Sequence, residues 1–261
     1  MLQRENVDKC LKYFHLVLKH DLEHIPERPL PQGYSFCFYQ LGDEEKWLEI
    51  EASAREFLTP ESGRKSWEKY FGGKETELAH RMLFVVNEAG EKVATASAFY
   101  DDEDREAGWL HWVAVKKEYQ GKGISKPLVY KVLSILKELG YPYACVPTQT
   151  TTWLAVKIYM DCGFVPLNTE KAKEGWRIVK TLTDHPLLSG FEPLSEADML
   201  DRDACRVRDL LSQRYPDLLD FVFWQAGETF RAGALLPKGA VYCPVLRDRA
   251  GNLCLGAPEE G

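Results

Sequence analysis

The stretch that most restricts this chain runs Leu110-His111-Trp112-Val113-Ala114-Val115-Lys116-Lys117-Glu118-Tyr119-Gln120-Gly121-Lys122-Gly123-Ile124-Ser125. Its apolar part passes through a short polar turn into two closely spaced glycines. Ile124, Leu128, Val132, Ile135 and Leu139 then recur at helical intervals. A strand, a tight loop and a helix in that order leave backbone N–H groups without acceptors at the helix start, where an anion such as a pyrophosphate is held. Glycine at 123 lets the backbone curl and approach a ligand with no Cβ in the way. Lys122 and Lys126 add positive charge beside it.

Two familiar phosphate patterns do not fit. A Walker A loop needs glycine where Lys116 stands and Ser or Thr where Gly123 stands. A dinucleotide fingerprint needs glycine where Lys126 stands. What remains is Gln120-x-x-Gly123-x-Ser125 between a strand and a helix.

The rest of the chain supplies an α/β frame. Val7, Leu11, Phe14, Leu18 and Leu22 predict a helix over residues 7–24, and Pro26, Pro29 and Pro31 an extended connector after it. An aromatic-rich strand follows from Tyr34 to Gln40. Asp43 is placed to cap a helix over 44–57, and a second helix spans 61–70 before Gly72-Gly73. Strands over 81–86 and 93–100 flank the loop 87–92, and a third strand covers 109–115. Beyond the glycine loop come a helix, a strand over 143–146, a helix over 152–162, a strand opening at Phe164 and a last strand over 176–182. This is a mixed central sheet flanked by helices. After residue 186 the pattern supports a helix over 204–215 and a hairpin within 239–255 around Asp248-Arg249-Ala250-Gly251. The organisation is therefore a helical extension (1–32), an α/β domain (33–185) and a C-terminal extension (186–261).

Composition narrows the partners. Hydrophobic residues make up 45% and charged residues 28%, as in an ordinary globular chain. A net charge of −7 and a pI near 5.5 argue against nucleic acid or an anionic membrane, which need a basic face; a local basic patch is compatible with them. The seven cysteines include no CxxC pair, so neither a zinc knuckle nor a redox dithiol is expected. They read as reduced thiols of a cytoplasmic protein. Met1 to Asn6 lacks the apolar core of a signal peptide, and no run reaches the roughly 18 apolar residues of a membrane span.

Gln120-x-x-Gly123-x-Ser125 resembles motif A of the GCN5-related N-acetyltransferases, the GNAT superfamily. Ala155-x-x-x-Tyr159-x-x-x-Gly163-Phe164 resembles their motif B. Ser125 replaces the last small residue of motif A, Lys116-Lys117 stands where proline is frequent, and Thr152 stands where asparagine is usual. The likeness covers about residues 33–183. It implies the GNAT fold with N- and C-terminal extensions, acetyl-CoA as co-substrate, and no metal.

The resemblance also implies roles. Acetyl-CoA would lie where the strand over 109–115 splays from that over 143–149. Backbone groups of Val113, Ala114 and Val115 would meet the pantetheine arm. The N–H groups of Gly121, Lys122, Gly123, Ile124, Ser125 and Lys126 would take the pyrophosphate, and Thr152 would add a polar contact. An amine attacks the thioester directly, the Val113 N–H faces the oxyanion, and Tyr159 protonates the leaving thiolate. His111, two residues before Val113 and on the same side by strand alternation, is the candidate base. Glu51 and the loop 101–106 are weaker candidates. Thr148 to Thr151 form a polar run at the end of the second splayed strand; Trp112 and Trp153 read as core. The expected function is acetyl transfer to a primary amine of a small molecule or peptide. The alternatives are a non-catalytic CoA-binding module and transfer of a longer acyl or an aminoacyl group. The extensions are expected to pack on the core, shape the acceptor pocket or make a homodimer contact.

Overall fold

The computed structural model describes residues 7–103 and 105–259. In chain order it contains β1 (His15–His20), β2 (Tyr34–Phe38), α1 (Glu44–Ser53), α2 (Pro60–Phe71), α3 (Glu75–Arg81), β3 (Met82–Asn87), β4 (Lys92–Phe99) and β5 (Gly108–Val115). There follow α4 (Ser125–Glu138), β6 (Ala144–Gln149), α5 (Trp153–Asp161), β7 (Val165–Pro166) and α6 (Lys173–Thr183). The last part holds α7 (Glu196–Met199), α8 (Arg202–Arg214), β8 (Asp220–Ala226), β9 (Thr229–Leu236), β10 (Gly239–Arg247) and β11 (Leu253–Leu255).

A seven-stranded sheet runs β2-β3-β4-β5-β6-β1-β7, with β5 and β6 parallel. Its two faces bury different cores. Leu128, Val132, Leu133 and Leu136 of α4 press on one face. Trp47 and Ile50 of α1, with Trp67 and Phe71 of α2, cover the other. Helix α2 starts at a capping box in which Thr59 and Ser62 satisfy each other's backbone N–H, with Pro60 in the first turn. Asp43 stands at the α1 start, but its carboxylate takes the Gln40 N–H and pairs with Lys92 instead of capping the helix.

Two expected elements exchange identity. The helix expected over 7–24 is replaced by β1, and the strand expected over 176–182 is the helix α6. Both segments satisfy two periods at once. Leu16, Leu18 and His20 alternate inward as well as falling near the helical series. Pairing with β6 along all six residues of β1 selects the period of two. With the place between β6 and β7 taken, 176–182 packs as a helix. Gly175 rests there against Leu16 and Phe14, and the Trp176 indole donates to the Leu167 carbonyl at 3.1 Å. The N-terminal segment is thus part of the main sheet, not an appendage.

The C-terminal segment forms a second, four-stranded antiparallel sheet, β11-β10-β9-β8, packed on α8 through Val207 and Leu211. The expected helix and the β10–β11 hairpin are present; β8 and β9 are additions. Lys9 ties this unit to the N-terminal segment through Asp220 at 2.6 Å. Among the described residues no helix is long and apolar enough to cross a membrane.

Candidate functional site

The site begins with a fault in β5. Strands β5 and β6 pair at Gly108–Ala144 and Trp109–Cys145, and beyond Trp109 they diverge. On the other edge the β4–β5 register shifts between Thr95 and Ser97, a bulge in β5 where Trp112 and Val113 face Ala96 alone. Trp112 adopts a left-handed φ of 48°, a conformation costing a non-glycine residue about 1–2 kcal/mol. Its ring is held by Trp47 at 5.2 Å and by Phe57 and Tyr70 at 5.5 Å. The bulge bends β5 away from β6 and leaves the β6-facing edge of Val113, Ala114 and Val115 without a strand partner. It also breaks the alternation. His111 and Trp112 both turn toward the aromatic core of α1 and α2, whereas Val113 packs toward α4. The two residues expected on one side lie on opposite sides.

A cleft of about 190 Å³ opens in the splay, lined by Glu51, Glu56, His111, Thr148, Thr152 and Tyr159 among others. Glu51 comes from α1, fully buried, with neither carboxylate oxygen hydrogen-bonded. Burial, and secondarily Glu56, pushes its carboxyl well above the usual range. Glu56 arrives through the way α1 ends. The Arg55 N–H bonds the Ala52 carbonyl and the Glu56 N–H bonds that of Glu51, both at 3.0 Å, with Arg55 in the left-handed region at φ 69°. This Schellman closure folds the chain back and points both carboxylates into one space. Glu56 keeps more solvent contact than Glu51, yet the protein packed around its carboxyl raises it too, against the opposing charge of Lys9. Sequence reasoning missed Glu56, because the usual signal of such a turn is glycine and arginine stands there.

His111 is enclosed by Tyr70 at 5.0 Å and Phe71 at 6.2 Å, and its Nδ1 has no partner. Burial lowers the ring from the ordinary 6.5 to about 4, so it stays neutral throughout the physiological range. The sign of its effect on stability follows. The unfolded chain takes a proton more readily, so the contribution is complete above pH 6.5 and is lost as pH falls toward about 4. That window corresponds to at most about 3 kcal/mol. His111→Gln should therefore unfold with a shallower acid slope than the parent chain in urea titrations between those limits. Equal slopes would mean that the ring titrates normally.

Tyr159 of α5 reaches the same cleft, its phenol kept protonated first by burial and then by Glu56 and Glu51. Thr152 lines it while its hydroxyl bonds the Gln149 carbonyl and meets Thr148 at 3.2 Å. Thr150, by contrast, has a structural duty, taking the Phe14 N–H at 3.0 Å and so pinning the segment before β1. Trp153 packs against the small core around Ile178. The loop 101–106 carries ion pairs at the surface, Asp102 holding Lys74 at 2.8 Å and Arg105 at 3.2 Å. A larger cavity of about 490 Å³ between the N-terminal segment and β8 contains none of the cleft's acid–base side chains.

At the other end of the splay lies the glycine loop. Gly121 and Gly123 take φ values of 75° and 81°, which L side chains avoid. The first backbone bond of α4 is Leu128 N–H to the Ile124 carbonyl, and no amide from Gly121 to Lys126 reaches an acceptor among the described residues. The Gln120 side chain anchors the loop to the end of β5 through the Val115 carbonyl at 3.0 Å. The Lys122 ammonium lies 4.4 Å from the Tyr119 ring centre, and Lys126 pairs with Asp161 at 3.1 Å. A pyrophosphate fits these converging free donors, and an extended amide-bearing arm fits the open strand edge.

A mixed sheet parted at two parallel strands, with a loop of free amides at one end of the gap and titratable side chains at the other, has the fold of the GNAT acetyltransferases. Residues 38–164 match the Acetyltransferase (GNAT) family. N-acetyltransferase 8B of Rattus norvegicus is 30% identical over 100 residues, spanning 37% of this chain and 45% of that protein. The chain thus spans less than half the length of that curated relative. The crystal structure of a GCN5-related N-acetyltransferase from Sphaerobacter thermophilus shares the fold at a TM-score of 0.51 and 19% identity, over 60% of this chain and 49% of that one. A GCN5-related N-acetyltransferase from Kribbella flavida aligns at 0.40 and 13% identity, over 59% and 54% of the two chains.

Proposed function

We propose that the protein is an acetyl-CoA-dependent N-acetyltransferase whose acceptor is a primary amine of a small molecule or peptide. One observation carries the reading: a single splayed strand pair has free loop amides at one end and two raised carboxyls with a buried tyrosine at the other. Acetyl-CoA supplies the acyl group as an activated thioester.

The chain's own residues divide the remaining work. The amides of Gly121 to Lys126 hold the pyrophosphate, and the open edge from Val113 to Val115 takes the pantetheine arm as an added strand. The acceptor arrives as an ammonium ion and must lose a proton before it can attack. Glu56, nearer to solvent than Glu51 and raised above the usual carboxyl value by burial, is the assigned base. His111, with a ring near 4, is the weaker acceptor of that proton. Glu56 raises Glu51 further, behind the burial that dominates. The Val113 N–H is the oxyanion donor, and Tyr159 gives its proton to the leaving thiolate. Burial, and after it the charge of Glu56 and Glu51, holds the Tyr159 proton on. When Glu56 accepts the amine's proton its share of that repulsion falls, and the phenol becomes a better acid at the moment an acid is required.

The test is thiol release from acetyl-CoA with a panel of amines, alongside calorimetric binding of CoA. Turnover with at least one amine is expected, and Tyr159→Phe should lower it by about 10²-fold while CoA affinity holds. CoA binding without turnover for any amine would leave a non-catalytic module. Undiminished turnover in Tyr159→Phe would remove that residue from the mechanism. Repeating the assay across acyl-CoA chain lengths separates acetyl from longer acyl transfer.

A further inference from the structure

Folded interiors leave few buried polar groups unpaired, because each gives up its hydration for nothing in return. Among the described residues seven buried side-chain nitrogen or oxygen atoms lack a hydrogen-bond partner, and four of them belong to residues lining the cleft. They are both carboxylate oxygens of Glu51, Nδ1 of His111 and Nε1 of Trp112. Two more lie beside them. Ser97 pairs with His111 across β4 and β5, and the Trp47 ring is 5.2 Å from that of Trp112. A concentration of this kind at one wall marks a place where a ligand supplies the missing partners.

Glu51 is the extreme case. It is fully buried on α1, one helical turn past Trp47. Ionised, it has no donor at either oxygen; protonated, its O–H has no acceptor. The acetyl-transfer chemistry leaves it unused. A reacting ammonium gives up its proton to Glu56, and Glu56 also weighs more on the Tyr159 phenol than Glu51 does. What remains is a carboxyl inside the acceptor cleft with two open acceptor sites and no part in either proton transfer. Burial keeps it protonated in the empty cleft, and a cation brought against it favours the ionised form instead.

We propose that Glu51 is the receptor for a second ammonium group on the acceptor, and that the acceptor is a short diamine, acetylated on one nitrogen beside Glu56 while the other is held at Glu51. The proposal rests on the acetyl-transfer reading above. With the His111 proton on Nε2, three of the four unpartnered atoms are acceptors, and an ammonium brings three N–H donors together with the opposite charge. A hydroxyl in the same place brings one donor and no charge, and a carboxylate meets repulsion. The closed end of α1 limits the length. The Glu56 N–H bonds the Glu51 carbonyl at 3.0 Å, and both side chains enter one cleft of about 190 Å³ that must also admit the acetyl group. The two nitrogens are therefore joined by a short, unbranched carbon chain.

Steady-state kinetics with acetyl-CoA and acceptors that share one reacting end test it: diaminobutane, butylamine, aminobutanol and aminobutyrate. In the parent chain kcat/KM for diaminobutane should exceed that for butylamine by about tenfold or more, the scale of one hydrogen bond to a charged group. Aminobutanol should fall between them and aminobutyrate last. Glu51→Gln keeps the shape of the side chain and removes its charge, so the advantage of diaminobutane over butylamine should shrink to about threefold or less. Glu51→Asp keeps the charge and should retain part of that advantage, and calorimetric affinity for CoA reports an intact fold in both variants. Equal kcat/KM for diaminobutane and butylamine in the parent, or an undiminished advantage in Glu51→Gln, would overturn the receptor and leave acetyl transfer standing. Turnover with none of these acceptors but with another amine would do the same. No turnover with any amine would bring down the acetyl-transfer reading as well.

Discussion

Glu56→Gln should lower kcat/KM for the amine by about 10²-fold or more, the usual contribution of a positioned general base. The amide keeps the shape of the side chain and removes the group that accepts the proton. Affinity for CoA should be unchanged, because Glu56 is at the opposite end of the splay from the glycine loop. The pH profile gives the sharper reading. A raised carboxyl works as a base only in its ionised form, so activity in the parent should climb with pH through that elevated pKa. The Gln variant should lose this acid limb. The same limb in Glu56→Gln, but missing in Glu51→Gln, would transfer the role to Glu51. Its persistence in both would transfer it to water or to the substrate itself.

The second large effect belongs to the loop. Gly123→Glu should raise the Kd for CoA by about 100-fold or more, equivalent to about 3 kcal/mol. Two causes act together: a side chain at φ 81° costs about 1–2 kcal/mol of backbone strain, and a carboxylate is set among amides meant for an anion. Gly123→Ala separates them. Its Cβ would stand 3.6 Å from Pro31, an ordinary contact, so it carries the strain without the charge and should weaken CoA only modestly. If calorimetry finds the Glu variant binding CoA like the parent, the pyrophosphate is not held at residues 121–126.

The candidate site was legible to different depths. The loop and the start of α4 were readable because they depend on neighbours in sequence: an alternating strand, glycines that permit positive φ, and a helical apolar series. Tyr159 on α5 and Thr152 just before it were singled out through the likeness to motif B. Glu51 was visible only as one acidic residue on an amphipathic helix. Its unpartnered burial beside Glu56 arises from a Schellman turn built on Arg55, for which the composition carries no glycine. His111 lines the cleft, but a bulge at Trp112 reversed its expected relation to Val113.

By itself the sequence determined the strand–loop–helix unit, the order of the elements from β2 to β7 except α3, and the two motifs, all of which are enforced by residues within a few positions of one another. Tertiary structure alone decided that residues 15–20 are a strand and 176–182 a helix, that β5 parts from β6, and that two carboxylates share one cleft. Over six to ten residues the periods of helix and strand overlap, so local pattern leaves both open. The backbone bonds to β6, more than a hundred residues away in the chain, are what choose between them.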